Sequence, residues 1–546
     1  MNTKVWKWIL KNGKESMPYI FMLTLGSVIL SLISLQFSME SKHIIDIATG
    51  DIGGSFFEAC IRIVFFLLLM LLVQIIINFV NVHASSKFEI GLKNHVFKTL
   101  LGKDYLSVTK YHSGELLNRI NQDISTIVSG IITIIPKFFL FATSIVGAFV
   151  YLYLIDKFLA LAVLAVGPFV LIGARLYSKK YKELHKECRE AEGKTSSFML
   201  EILQNLLVVK SFSNEDIMLD KSKKLQNISY KLRVKRTKIS IVAHVGIFIV
   251  FNAGFYFALA YCAYRLSQNA MSYGDVIAVT QLVNQIQAPF RNMSGLVPQF
   301  FSVIASTERL LELEDIKDEV ATGEFADKNV YSDMEELVFE NVKFSYDRDS
   351  VVSGINMSIK KGEFAVVAGE SGAGKSTAIK MLLGILNPDE GEIYIKTKDK
   401  KLSIGKNSRK IFAYVPQGNL ILSGTIRENI AFSNENTDDE KIIKAAKIAQ
   451  IWDFIETLDN GLDTKIGEKG LGLSEGQAQR ISIARAILSD APILLLDEST
   501  SALDSKTEAD LLTTIRELTD KTCIIVSHKQ AAFDICDKVV YVTKEQ

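Results

Sequence analysis

The sequence predicts two unlike folds in series: an all-α six-helix transmembrane domain with long cytoplasmic helical extensions, then an α/β domain built on a phosphate-binding loop. Three observations predict this. The first half holds long apolar runs (residues 18–38, 63–82, 138–155, 158–174 and 239–264) without a charged side chain. The segments between the second and third runs, and between the fourth and fifth, are long, rich in Lys and Arg, and helically periodic. In the second half a buried-strand pattern runs straight into a glycine-rich loop ending Gly374-Lys375-Ser376.

A hydrocarbon core needs about 20 mostly apolar residues, with roughly 17 as the lower limit. The five runs meet that length, and a sixth candidate begins near Val276 and is interrupted by Arg291. The expected spans are 18–38, 61–82, 133–155, 158–178, 240–264 and 275–298, within a membrane domain over 1–315. Composition agrees, because mean hydropathy is positive at +0.21, and a soluble chain of this size rarely averages above zero. Lys and Arg number 62 against 61 Asp and Glu. That balance lacks the basic excess of a nucleic-acid binder, so no nucleic-acid partner is expected. Eight prolines and no biased repeats argue against long disorder.

The N-terminal stretch is basic and contains Trp6 and Trp8. It lacks a short apolar core followed by a small-residue cleavage site, so it reads as an interfacial helix rather than a signal peptide. Lys4, Lys7, Lys11 and Lys14 precede the first span, whereas Glu40, Asp46, Asp51 and Glu58 follow it. By the positive-inside rule both termini and the two long loops are cytoplasmic. Gly114 interrupts the first long loop, and Ser211, Ser213 and Asn214 interrupt the second. Turns there would place the loop tips far from the membrane, where another domain can receive them.

Gln281, Asn284 and Gln285 share one helical face of the sixth span. Two readings stand side by side: hydrogen bonds between helices, each worth about 0.6–2 kcal/mol in lipid, or the wall of a polar pathway. His244 reads as a helix–helix contact. The scarcity of acids and bases along the spans counts against proton-relay chemistry. Cys60, Cys188, Cys262, Cys523 and Cys536 form no CxxC pair and no zinc spacing, and read as packing residues.

Residues 316–335 are polar and acidic and read as a linker, with the second domain at 336–546. There the run EFAVVA leads into Gly369-Glu370-Ser371-Gly372-Ala373-Gly374-Lys375-Ser376-Thr377 and then the helical stretch AIKMLLGIL. This is GxxxxGK[ST] in strand–loop–helix context. Backbone N–H groups of such a loop close around phosphate oxygens at a helix N-terminus. Lys375 is expected to reach the β- and γ-phosphates and Ser376 to ligate Mg2+. A second run, PILLLDE, reads as a fully buried strand ending in Asp497, placed for the Mg2+ shell, and Glu498, placed to polarise an attacking water.

Leu473-Ser474-Glu475-Gly476-Gln477, followed by AQRISIARAI, resembles the signature motif of ATP-binding cassette (ABC) proteins. Tyr346 in FSYD resembles the adenine-stacking aromatic of that family, and Gln417 in YVPQ its Q-loop glutamine. Ser501-Ala502-Leu503-Asp504 resembles the D-loop, and His528 in IIVSHK the switch histidine. Six spans ahead of one such domain resemble an ABC exporter half-transporter. Residues 112–125 resemble its first coupling region and residues 209–215 its second. The chain opens at the elbow helix of that layout, so no leader-cleaving peptidase domain is expected. One departure is Glu475, where the family usually has Gly; a carboxylate there would repel the γ-phosphate or point into solvent.

The resemblance implies an ATPase with Glu498, His528 and Gln417 as its catalytic set. ATP would be held by Tyr346, residues 369–377 and, from a facing chain, Ser474, Gly476 and Gln477. Mg2+ would be held by Ser376, Gln417 and Asp497. In the family two cassettes trap two nucleotides head to tail, so the implied partner is a second half-transporter, with a homodimer favoured over a heterodimer. The implied function is ATP-driven efflux of an amphipathic, peptide, lipid or drug-like cargo from a multi-pass protein of the bacterial inner membrane, in contact with lipid. An ATP-gated channel or regulatory module is the alternative; an importer fits the fused layout less well.

Overall fold

The computed structural model describes residues 3–542 except 347–348, 371, 419–420, 435, 468–469, 471 and 519. Side chains at 168–179, 182, 244, 293–294, 328 and 349–350 also fall outside the description. The expected helix contact of His244 therefore lies outside the described residues, as does Ser371. Two compact units divide the chain: Met1–Leu101 with His112–Asp315, and Gly102–Tyr111 with Ile316–Gln546.

The chain runs through helices α1 (Thr3–Asn12), α2 (Met17–Thr49), α3 (Phe56–Leu101), α4 (Tyr105–Thr109), α5 (Ser113–Asn118), α6 (Ile124–Ile155), α7 (Lys157–Gln204), α8 (Leu206–Ser211), α9 (Glu215–Ser267) and α10 (Tyr273–Glu314). All but α4 belong to the first unit. With 53 residues, α9 is about 80 Å long at 1.5 Å per residue, far more than a bilayer core of about 30 Å. Local chemistry ends each helix. Gly50 takes the left-handed conformation after α2 and donates to Asp46 O and Ile47 O. Asp156 breaks α6 from α7 and accepts from Leu159 N at 2.9 Å. Ser272 and Asp275 form a capping box that starts α10.

Among the described residues, four helical stretches are long and apolar enough to cross a membrane: Lys14–Thr49, Phe56–Leu101, Ser113–Ile155 and Glu215–Ser267. Lys157–Gly167 is a shorter apolar stretch of α7. The sixth expected span lies in α10, whose amides and Arg291 dilute its apolar character. Leu67, Leu68, Leu71, Leu72, Ile75 and Ile76 of α3 are all exposed, an apolar surface suited to lipid.

The amides of α10 divide between roles. Gln285 Nε2 lies 3.2 Å from Ser34 O, 3.2 Å from Ser34 Oγ and 3.0 Å from Ser38 Oγ, and Ser144 Oγ donates to Gln285 O at 3.2 Å. This one residue ties α10 to α2 and α6. Asn284 is exposed and donates to Thr280 O of its own helix.

The second unit contains α11 (Lys328–Asp333), β1 (Met334–Tyr346), β2 (Asp349–Lys360), β3 (Phe364–Ala368), α12 (Lys375–Leu382), β4 (Glu390–Thr397), β5 (Lys401–Ser403), β6 (Phe412–Val415), β7 (Gly424–Thr425) and α13 (Ile426–Ile430). It continues through α14 (Asp439–Ile448), α15 (Trp452–Glu456), β8 (Lys465–Ile466), α16 (Glu475–Leu488), β9 (Ile493–Asp497), α17 (Ser505–Arg516), β10 (Thr522–Val526), α18 (Gln530–Ile535) and β11 (Lys538–Tyr541). One sheet is antiparallel, β2-β1-β4-β5; the central one, β11-β3-β10-β9-β6, is parallel throughout. Alternate residues of the central strands feed two cores. Phe364, Val366, Leu494, Leu496, Cys523 and Ile525 pack with α13–α17, while Ala365, Val367, Leu495 and Ile524 pack with α12 and the antiparallel sheet. Burial on both faces explains the unbroken apolar runs EFAVVA and PILLLD.

Two expectations need correction. Residues 316–335 are not a free linker. Glu319 accepts from Lys406 and Arg409, each at 2.7 Å, and Ala326 and Tyr331 are buried. Of the acids in this stretch, Glu319 is held in ion pairs and partly buried, while Asp318, Glu324, Asp333 and Glu335 stay exposed. The first loop tip is also not at Gly114, which lies inside α5. The chain turns at Gly102, and Asp104 caps α4 by accepting from Ser107 N at 2.9 Å. This segment belongs to the second unit: Asp104 N donates to Lys317 O at 2.9 Å, Lys103 pairs with Asp318 at 2.7 Å, and Leu106 packs on the core. Residues 112–125 instead remain in the first unit. The second tip falls at the expected place, with Ser213 at φ 52° between α8 and α9.

If the Gln285 amide joins helices, Gln285→Leu costs about 0.6–2 kcal/mol and lowers the thermal midpoint of the protein in lipid nanodiscs. An unchanged midpoint would contradict that role.

Candidate active site

Parallel pairing brings the carboxyl ends of β3, β10, β9 and β6 to one edge, where open α/β sheets place their ligand crevice. Gly369 follows β3, Glu498 follows β9, His528 follows β10 by two residues, and Gln417 follows β6 by two. Residues scattered over 160 positions thus become neighbours through strand order alone.

The loop after β3 is shaped by three glycines. Gly369, Gly372 and Gly374 adopt φ of 150°, 81° and 90°, conformations in which a β-carbon is strained. A Cβ on Gly369 would lie 2.2 Å from Val542 O, and one on Gly374 would lie 2.7 Å from Val352 Cγ2. Gly374 caps the start of α12, in whose first turn Lys375 and Thr377 are buried. Lys375 is 5% exposed, and its Nζ donates to Gly369 O at 2.8 Å and Glu370 O at 2.9 Å. The ammonium is therefore curled over the loop. Glu370 and Gly372 are exposed and Ala373 is buried.

Ser376 Oγ donates to Asp497 Oδ1 at 2.9 Å, and Tyr414 OH to Asp497 Oδ2 at 3.2 Å. Burial pushes the Asp497 carboxyl above its ordinary range, and those two hydrogen bonds only partly offset it. Burial and the nearby Asp497 push the Tyr414 hydroxyl up as well, so it remains a donor. Glu498 sits at φ 47° with its N–H on Val526 O at 3.0 Å, a left-handed conformation unusual for a non-glycine residue. That turn sends its side chain toward β6 and β10. Gln417 Nε2 donates to Glu498 Oε2 at 2.7 Å, and His528 Nε2 lies 3.9 Å from Glu498 Oε1.

Six of the sequence-predicted residues are therefore together: Lys375, Ser376, Asp497, Gln417, Glu498 and His528. Tyr346 ends β1, edge-on to Phe344 at 4.9 Å, in the hairpin whose Val351 and Val352 abut Gly374. Ser474 and Gln477 are elsewhere. They form the capping box of α16, with Ser474 N donating to Gln477 Oε1 at 2.8 Å. Among the described residues no hydrogen bond joins them to the phosphate loop. Gly476 is pressed on the next loop, its Cβ position 3.1 Å from Ala502 O. Glu475 is exposed in the first turn of α16, where the helix dipole favours a carboxylate.

Sequence reasoning missed Tyr414, three residues before Gln417; only the adjacency of β6 and β9 makes it a partner of Asp497. It also missed Gln479, 2% exposed, which donates to Ser501 Oγ and accepts from Ala502 N, each at 3.1 Å. A glutamine among the apolar residues of a buried helical face was the available signal.

Two family models match in one chain: the ABC transporter transmembrane region over residues 20–290 and the ABC transporter model over residues 352–501. The ATP-dependent lipid A-core flippase of Alcanivorax borkumensis is 30% identical over 470 residues, 83% of this chain and 78% of the flippase. The chain belongs to the ABC transporter family. Within it, the layout is that of an exporter half-transporter: a helical membrane domain fused to an ABC-type ATPase domain. The lipid A-core flippase of Escherichia coli (strain K12) is 28% identical, over 84% of this chain and 79% of that protein. ABC transporter B family member 1 of Dictyostelium discoideum is 28% identical over 98% of this chain, which spans 60% of that protein's length. A bacterial Atm1-family ABC exporter with ATP bound shares the fold at a TM-score of 0.79, with 24% identity, 98% of this chain and 95% of that chain covered.

Glu498→Gln should lower ATP turnover by about 10²- to 10⁴-fold, the usual contribution of a general base, while ATP binding persists. Lys375→Ala should instead weaken ATP binding, read by nucleotide titration of the purified chain. Parent turnover in the first variant, or parent affinity in the second, would contradict the roles given to these side chains.

Proposed function

We propose that the chain is one half of a dimeric, ATP-driven exporter, with six helices crossing a bacterial inner membrane and both termini cytoplasmic. One observation carries the coupling: Gly102–Tyr111, flanked on both sides by chain of the helical unit, packs as part of the ATPase unit. A motion of the ATPase unit then pulls on α3 and α5 through the backbone itself. The domain division proposed is a membrane domain to about residue 315 and a nucleotide-binding domain beyond it, with Gly102–Tyr111 as the shared piece.

The roles proposed for the site follow its geometry. Backbone N–H groups of residues 369–377 and the ammonium of Lys375 hold the phosphates, and Tyr346 stacks on the base. Ser376 Oγ and the Asp497 carboxylate, with Gln417 nearby, form an all-oxygen donor set suited to Mg2+. Bound with ATP, Mg2+ would supply charge screening of the phosphates. Glu498 orients and deprotonates water, Gln417 positions Glu498, and His528 faces the same carboxylate. Ser474, Gly476 and Gln477, which among the described residues make no hydrogen bond to this loop in their own chain, serve the site of a facing chain. Glu475 is accommodated because its side chain lies in solvent. The exposed Leu207 and Phe212 at the second loop tip suit burial against a second copy.

The cargo proposed is amphipathic, and the flippase relatives favour a lipid among the peptide, lipid and drug-like classes. Reconstituted in inverted vesicles, the protein should accumulate a fluorescent lipid analogue only with hydrolysable ATP. ATP-dependent passive conductance without accumulation would instead favour a gated channel.

The raised carboxyl of Asp497 has a signed consequence. Mg2+ needs the ionised form, and burial makes that form harder to reach. The Mg2+ concentration for half-maximal ATPase activity should therefore rise as pH falls from neutral toward mildly acid values, above the ordinary Asp range of about 3.9. A Mg2+ requirement flat across that interval would contradict the assignment.

A further inference from the structure

Beyond the six crevice residues lies a charged pair, a buried carboxylate and a half-buried ammonium, that the roles above leave unused. Glu508, in the first turn of α17, is 1% exposed. One of its carboxylate oxygens accepts from Thr500 Oγ1 at 2.6 Å, and the other lies 3.2 Å from Lys529 Nζ. The same ammonium donates to Thr500 O at 2.9 Å and Leu503 O at 2.7 Å. Two of its donors are thus committed to carbonyls of one short loop, and the ammonium also faces Glu508 of α17.

The place of that loop gives the cluster its meaning. Residues 499–504 leave Glu498 directly, and Ser501 N donates back to Glu498 O at 3.2 Å. Lys529 is the residue after His528, and its own N–H donates to Ser527 Oγ at 3.1 Å. Lys529 therefore fastens the loop carrying His528 to the turn carrying Glu498. From the other side, Gln479 of α16 grips Ser501 and Ala502 of the same loop.

We propose that Lys529 is a positioning residue for hydrolysis: by clamping the carbonyls of Thr500 and Leu503 it holds the left-handed turn at Glu498 in register with His528. It touches no nucleotide in this scheme and acts through the loop. The ion pair with Glu508 aims the ammonium, because a buried carboxylate needs a partner. The proposal rests on Glu498 being the base.

The test is steady-state ATPase kinetics of the full chain in nanodiscs, with Lys529→Met, Lys529→Arg and the double variant Lys529→Met/Glu508→Gln. Lys529→Met should lower kcat by about ten- to a hundredfold, the scale of a small misplacement of a reacting group, with KM for ATP little changed. Lys529→Arg, which keeps charge and donors, should recover most of the loss. The double variant also removes the charge of the buried Glu508 that Lys529→Met leaves unpaired, so its thermal midpoint should return toward the parent while kcat stays low. It also keeps the test open where Lys529→Met alone fails to fold. Parent kcat in Lys529→Met, parent kcat in the double variant, or an Arg variant no better than Met would overturn the proposal. Glu498→Gln in the same assay separates the two readings: parent turnover there removes the base assignment whatever Lys529 does.

Discussion

Parallel pairing of β6, β9, β10 and β3 is the constraint on which the ATPase half depends. Each strand delivers its chemical groups at its carboxyl end, and the groups from different strands are far apart in sequence. Their meeting point is set by hydrogen-bond register: Val526 lies opposite both Asp497 and Val367. The sheet can hold that register because both faces are buried, so a slip would misalign two cores at once. Strain at Glu498 is supported by the same register, since the N–H of the strained residue is taken by Val526 O.

The helical unit solves a different problem. Its apolar side chains are spread between buried seams and exposed flanks, as lipid requires, so packing of small residues and a few polar ties must do the aligning. Gly147 is set against Leu35, where a Cβ would come within 2.2 Å, and Gly130 against Val303 at 2.1 Å. Gln285 adds a polar tie among three helices. Just before α6, the π-helical turn Arg119–Asp123 presents buried Asp123 to Ser306 and Arg309 of α10. That turn is a local departure from α-helical pairing of the kind often found at functional positions.

The legible part of this protein was the part written locally. The phosphate loop could be read because strand, glycines, lysine and helix are consecutive, and PILLLDE because a doubly buried strand is apolar throughout. Apolar runs exposed the spans whose chemistry is uniform, but α10 mixes amides with apolar residues and was harder to bound. What could not be read depends on strand order or on distant partners. Tyr414 is an ordinary strand residue until β6 lies beside β9. Lys529 and Glu508 are ordinary surface residue types until the D-loop folds between them. Glu319, in the acidic stretch 316–335, looked solvated because its cationic partners, Lys406 and Arg409, come some ninety residues later.

Among the described residues of one chain, the phosphate loop and the α16 cap have no hydrogen bond between them; the proposed dimer joins them across two chains. The most direct measurement is ATP turnover per chain in nanodiscs sorted by mass into those holding one copy and those holding two. The account predicts turnover confined to the two-copy particles. Equal turnover per chain in single-copy particles would contradict it.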